Sequence, residues 1–269
     1  MEVAAHYERG LKIATLLTSF LLPTDVFRCI WCLMIKPSII LAAIFVLALN
    51  VSKALAQQSR LLSAEQQEPF AAVGQLVRGR KQDNGLCTAT LVAPNYILTA
   101  AHCLYVARDD TPSELRQYTF AAGWNNGTAI AASSIAEVII PDSYTPVSND
   151  GLRMLNNDWA LARLTDPITE VEPLPITRVP GPWETVYYLT YSQKNREAPL
   201  LTRNCQHRVL DQGPLLVGCP VIGGNSGAAV LVGSQDNPQI VAVIAAKADG
   251  NAFAVIPNEE LLSLISSFN

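Results

Sequence analysis

Three side chains, far apart along the chain, have the types needed to turn a hydroxyl into a nucleophile. Ser226 lies in G-G-N-S-G at 223–227, His102 in T-A-A-H-C at 99–103 and Asp158 in N-N-D-W-A-L-A at 156–162. A serine hydroxyl is a weak nucleophile at neutral pH. It needs a base to accept its proton, and the base needs an acidic partner to fix its tautomer. Histidine is the commonest such base near neutrality. An aspartate at the mouth of the apolar run W-A-L-A-R-L is costly to bury without a partner, and an imidazolium is one. Gly223, Gly224 and Gly227 around Ser226 permit unusual backbone and close approach of a ligand. The amides of Gly224 and Ser226 can then converge on one point, forming an oxyanion hole. The chemistry on offer is acyl transfer through a serine intermediate.

Taken singly, each residue has an ordinary reading. His102 alone reads as a structural or surface histidine, Asp158 as a turn residue after Asn156-Asn157, and G-x-S-G as a common turn. The three in one chain carry the signal. Asp142, Asp150 and Asp166 are other candidate acids, but none joins an apolar strand to a two-asparagine lead-in as Asp158 does. His207 has no comparable setting and reads as a strand or surface residue.

The elements that must position these groups read as β-strands. Runs rich in Val, Ile, Leu, Thr and Tyr recur between turn residues at 71–78, 86–92, 96–99, 135–140, 159–164, 185–191, 228–232 and 240–246. Asp83-Asn84-Gly85 and Asn126-Gly127 are turn signals. Only 258–267, after Pro257, has helical spacing, with Leu261, Leu262, Leu264 and Ile265. The chain is therefore expected to be all-β with a C-terminal helix. The Pro- and Gly-rich stretch 173–182 reads as a linker between two lobes, 57–172 and 183–269. His102 and Asp158 precede that linker and Ser226 follows it, so the site belongs in a cleft between lobes.

The 269 residues are 49% hydrophobic and 16% charged, with a formal net charge of −4. That composition excludes a disordered chain, and with no Lys/Arg cluster it argues against a nucleic-acid partner. Residues 39–49 form an apolar run of signal-peptide length, preceded by Lys36 and followed by the small-x-small sequence A-L-A at 54–56. Cleavage is expected after Ala56, leaving Gln57 at the mature N-terminus. Translation from Met34 gives a complete signal peptide over 34–56, and residues 1–33 then read as an over-extension of the frame. The rival reading is a genuine extension in which 11–22 or 39–49 anchors the chain. Each run is shorter than the ~20 residues a spanning helix needs, and Lys36 and Pro37 interrupt their fusion. The expectation is a secreted or periplasmic monomer with no membrane anchor once the signal is removed.

Of six cysteines, Cys29 and Cys32 lie upstream of the cleavage point. C-I-W-C there could be a redox motif, but in a removed segment it has no role to play. Cys87, Cys103, Cys205 and Cys219 remain, an even number that fits two disulfides in an exported chain. Four cysteines allow three pairings, and sequence alone does not choose. Their spacings lack the short paired hooks of a structural zinc site, so no metal and no cofactor is expected.

These motifs resemble the trypsin-like (chymotrypsin-fold) serine endopeptidases over nearly the whole chain from about Pro69. The order His, Asp, Ser matches that group, whereas subtilisin-like enzymes and α/β-hydrolases use other orders. C-T-A-T-L-V-A-P-N-Y-I-L-T-A-A-H-C at 87–103 resembles the block that ends on the family's catalytic histidine, N-D-W-A-L-A-R-L its aspartate strand, and G-N-S-G its nucleophile loop. C-P-V-I-G-G-N-S at 219–226 is most similar to bacterial secreted members, including the glutamyl-endopeptidase-like branch. The resemblance implies two six-stranded antiparallel β-barrels with the site between them. It makes Ser226 the nucleophile, His102 the general base and acid, Asp158 its orienting partner, and Gly224 and Ser226 the oxyanion-hole donors. With sequence proximity, it favours pairing Cys87 with Cys103 and Cys205 with Cys219. The implied substrate is a protein or peptide.

The departures are informative. Digestive members carry an aspartate just before the serine, paired with an N-terminus freed by zymogen cleavage; here that residue is Asn225. No basic residue followed by an I-V-G-G-like run occurs near 57–74, so that switch is not expected. The serine is followed by G-A-A rather than G-G-P, which alters the packing behind the turn. Walls of the primary pocket are expected from 218–223 and 243–250. Pro220 lies where trypsin-like specificity would need an acid, which disfavours an Arg/Lys preference. The strand I-A-A-K-A-D lacks the histidine of the glutamyl-specific branch. Ala245 and Ala246 suit an open or apolar pocket, and Lys247 reads as a solvated lysine, with contact to an acidic side chain the other option. A catalytically silent, protease-like binding module is the competing functional reading.

Overall fold

The computed structural model describes residues 58–79, 86–107, 111–146, 155–181, 184–211 and 213–268. The signal-peptide and N-terminal readings, Cys29, Cys32, Gln57, Asp150 and the Asp83-Asn84-Gly85 turn lie outside these residues.

Six strands close into an antiparallel barrel: β2 (Val73–Arg78), β3 (Leu86–Ala93), β4 (Tyr96–Thr99), β5 (Tyr118–Ala122), β6 (Ala131–Ile139) and β7 (Ala160–Leu164), in the order β2-β3-β4-β7-β6-β5. β3 turns directly into β4 through Pro94-Asn95, with Ala93 opposite Tyr96. Asn126 and Gly127 both take positive φ, +48° and +86°, in a two-residue turn closed by Asn125 and Thr128. That is the left-handed pair an Asn-Gly hairpin turn requires.

The second sheet has eight strands in the order β1-β9-β8-β12-β13-β14-β11-β10 and curls into a half-barrel. It holds β8 (Val186–Thr190), β9 (Leu200–Cys205), β10 (His207–Val209), β11 (Leu215–Val217), β12 (Ala229–Val232), β13 (Gln239–Ala248) and β14 (Asn251–Val255). Its first member, β1 (Gln58–Leu61), comes from the start of the described chain and pairs with β9, Gln58 opposite Arg203 through Leu61 opposite Leu200. The segment before the first barrel thus reaches across to the other sheet. Ser63 then caps a one-turn helix, Ala64–Gln67, in a capping box with Gln66.

The Pro-rich stretch after β7 is ordered by both sheets. Leu174 donates to the Leu91 carbonyl of the barrel, and Thr177 to that of Ile240 at the start of β13. His207 is buried, and its Nε2 lies 3.2 Å from the Pro180 carbonyl of the same stretch. The C-terminal helix, Glu259–Ser266, is capped by Asn258, whose side chain accepts from Leu261 N at 2.9 Å. It follows the second sheet in sequence but packs on the first barrel, where Phe268 stacks on Tyr96 of β4 with centroids 3.6 Å apart. Among the described residues no helix is long and apolar enough to cross a membrane.

Candidate active site

Strand register brings His102 and Asp158 together. β4 and β7 are antiparallel neighbours with Thr99 opposite Ala160. The chain leaving β4 forms the short helix Ala101–Leu104, which carries His102, and Asp158 lies two residues before β7 begins. Asp158 Oδ1 accepts the His102 backbone amide at 2.9 Å, and Oδ2 lies 2.8 Å from His102 Nδ1. The carboxylate is nearly buried while the imidazole side chain is 34% exposed. One oxygen thus fixes the backbone and the other fixes the ring. With Nδ1–H donating to Asp158, Nε2 is left able to accept a proton. Trp159, the next residue, is fully buried, and burial together with the Asp158 charge pushes the Tyr144 phenol well above its ordinary range. Asp142 and Asp166 are exposed surface residues.

The disulfide Cys87–Cys103 ties this helix back to β3, and Cys205–Cys219 ties β9 to the loop leading to Ser226, with Cα atoms 6.3 and 5.5 Å apart. Loops of this length contribute about 3 kcal/mol each in the chain-entropy picture. Cys87, His102 and Cys103 cluster closely enough to suggest a metal site, but the two sulfurs are bonded to each other and are not thiolate ligands.

Ser226 arrives from the second sheet's side. Asn225 N donates to the Ile222 carbonyl at 3.1 Å, closing a β-turn whose third residue, Gly224, has φ of +98°. That is the position at which a type II turn requires glycine. Among the described residues the amides of Gly224 and Ser226 donate to no protein acceptor, so both remain available to a developing oxyanion.

Thr88 on β3 joins the halves, a residue that sequence reasoning passed over as one more strand position. Its amide donates to the Ser226 carbonyl at 2.9 Å, its hydroxyl donates to the Gly224 carbonyl at 3.0 Å, and its own carbonyl accepts from Thr99 Oγ1 at 2.9 Å. Thr88 neighbours Cys87, which is bonded to the residue after His102. Serine and histidine are therefore hung from the same strand. Ser226 Oγ makes no hydrogen bond among the described residues, so its contact with His102 is not closed at rest. Such contacts are commonly long in apo enzymes and tighten with substrate.

Gly227 allows this approach. It has φ of +80°, and a Cβ there would sit 2.0 Å from Thr99 Oγ1 and 2.3 Å from the Thr88 carbonyl. Gly227→Ala is expected to destabilise the chain by about 3 kcal/mol or more, from strained φ plus a clash with backbone that cannot move. Urea unfolding checks this, and a midpoint equal to wild type would mean the two halves do not meet here.

Beside Ser226 lies a cavity of about 170 Å³ walled by Val221, Ile222, Ile244, Ala245 and Ala246, with Lys247 exposed at its rim. Its lining includes no carboxylate to pair with an Arg or Lys side chain. A second cavity, about 270 Å³, is lined by His102, the Cys87–Cys103 bridge, Leu86 and Val106.

The architecture has known counterparts. A glutamyl endopeptidase crystallised with MPD superposes with a TM-score of 0.61 at 21% identity, covering 78% of this chain and 95% of its own. The protease Anisep from Arthrobacter nicotinovorans gives 0.61 at 15% identity, covering 79% and 99%. An inactivated protease paralogue of the scabies mite gives 0.58 at 13% identity, covering 75% and 94%. At these identities the likeness is one of fold, which the last example shows to be separable from catalysis. The family model described as Trypsin matches residues 62–252. The chain belongs to the trypsin family.

Proposed function

We propose that the chain is a secreted serine endopeptidase acting through Ser226, His102 and Asp158. The observation that carries the reading is the two-point grip of Asp158 on His102, at 2.9 and 2.8 Å, beside a glycine turn with two available amides. Substrate lies along β13 with a side chain in the apolar cavity. His102 Nε2 takes the Ser226 proton as Oγ attacks the peptide carbonyl. Asp158 holds the resulting imidazolium, and the Gly224 and Ser226 amides receive the oxyanion. The protonated ring then gives its proton to the leaving amine, and an acyl-enzyme forms. Water, deprotonated by the same imidazole, releases the acid product. Two disulfides fit an oxidising compartment, which supports export.

Fluorophosphonate labelling of the purified chain tests this. Wild type should label, and Ser226→Ala should not. A folded wild type that neither labels nor hydrolyses ester or peptide would instead favour a silent binding module of the same fold.

A further inference from the structure

We infer that a charge-free chain of buried hydrogen bonds, running from the N-terminal segment through Gln67 and Tyr191 to Asn225, holds the oxyanion-hole turn in its working shape. The inference rests on the reading of that turn given above. It makes Gln67 and Tyr191 positioning residues for the reaction.

The chain can be followed atom by atom. The side chain of Asn225, 4% exposed, spans its own turn: Oδ1 accepts from Ile222 N at 2.7 Å, and Nδ2 donates to the Tyr191 carbonyl at 3.0 Å. The turn rests directly on this platform, since a Cβ on Gly224 would lie 2.7 Å from Ser192 Cα and 3.1 Å from the Tyr191 carbonyl. Thr88 Oγ1 accepts from Tyr191 N at 3.0 Å while donating to the Gly224 carbonyl. The position of the Tyr191 backbone therefore decides where the turn sits.

Tyr191 is itself held from the far side. Its ring is fully buried, its hydroxyl donates to the Trp124 carbonyl at 2.6 Å, and that hydroxyl accepts from Gln67 Nε2 at 2.8 Å. Gln67 Oε1 accepts from Asn125 Nδ2 at 2.8 Å, and the same nitrogen lies 3.1 Å from the Leu62 carbonyl. Burial pushes the Tyr191 phenol far above its ordinary range, so it stays a neutral donor. Leu62 and Gln67 follow β1, which is bound along β9. The N-terminal segment is thus pinned to the second sheet at one end and to the turn, through Tyr191, at the other.

Every link is neutral and every polar atom named has a partner. Such a chain is rigid when complete and costly when one member is lost. It explains an uncharged residue at Asn225: the turn is held by side-chain amides from within the folded chain and needs no ammonium to balance a carboxylate.

The experiment compares wild type, Tyr191→Phe, and Tyr191→Phe combined with Gln67→Leu. Tyr191→Phe keeps the ring and cuts the brace at its middle. Loss of turn geometry should lower kcat about 10- to 100-fold and weaken a peptide boronate, which uses the oxyanion hole, by a similar factor, while KM changes less than about threefold. The double variant removes the Gln67 amide that Tyr191→Phe alone would leave unpaired and should recover part of the lost thermal stability, the Trp124 carbonyl and one Asn125 N–H still lacking their former partners. A purely structural role predicts that kcat and boronate affinity recover with it; the brace predicts that they stay low. Recovery of both, or a folded Tyr191→Phe with wild-type kcat and boronate affinity, overturns the inference. Amide exchange at Gly224 and Ser226 reads the turn without any turnover. Faster exchange in the double variant supports the brace, and unchanged exchange overturns it, even if wild type fails to label with fluorophosphonate and the endopeptidase reading itself is lost.

Discussion

His102→Ala is expected to lower kcat on a peptide substrate by about 10⁶-fold, with the fold retained. In the proposed reaction the ring bonded to Asp158 carries the proton to and from Ser226. Removing it leaves a hydroxyl that must ionise unaided, so no partial route survives. The stability cost should be small. The His102 side chain is 34% exposed, and the carboxylate it leaves behind keeps its bond to the His102 backbone amide, which the substitution does not touch. Single-turnover kinetics with an activated ester, alongside thermal unfolding, separates the two effects. A loss smaller than about 100-fold in a folded variant would mean that another base serves Ser226.

Asp158→Asn should follow with a fall of about 10⁴-fold in kcat and almost no change in structure. An asparagine can still accept the His102 amide through its oxygen, so the helix Ala101–Leu104 should keep its place. The second position changes character: where Oδ2 now accepts from Nδ1 at 2.8 Å, an NH₂ group would donate. The imidazole must then present a bare Nδ1 and carry its proton on Nε2, which cannot take a proton from serine. The check is kcat beside the proton shifts of the His102 ring, which report the tautomer. Retained activity with the tautomer reversed would remove Asp158 from the mechanism.

The reach of the sequence differs from element to element. Strands β3, β4, β7, β8, β12 and β13 were legible because they are apolar, bounded by turn residues and mostly buried. β9 and β10 were not, because Arg203, Asn204 and Arg208 interrupt their hydrophobic pattern, and their stability comes from pairing with neighbours rather than from their own composition. β1 is four residues long, and its first bonding partner, Arg203, lies some 145 positions away. No local signal could have revealed that. His207, read from sequence as a strand or surface residue, lies on β10 and is buried.

What the residues determined alone is chemical type and local setting. A histidine after T-A-A, an aspartate before an apolar strand, and a serine among glycines point to the proposed reaction, because nucleophile, base and orienting acid each need a particular functional group and a particular stretch of backbone. What only the folded chain decided is the framework that holds them. Thr88, Gln67 and Tyr191 are ordinary strand and helix residues by composition. They gain their roles from contacts more than a hundred positions apart, where a single hydroxyl or amide is buried between elements that sequence order keeps separate. Hydrogen bonding acts over about 3 Å, and which groups come within that distance is fixed by barrel closure and strand register, not by neighbours in sequence.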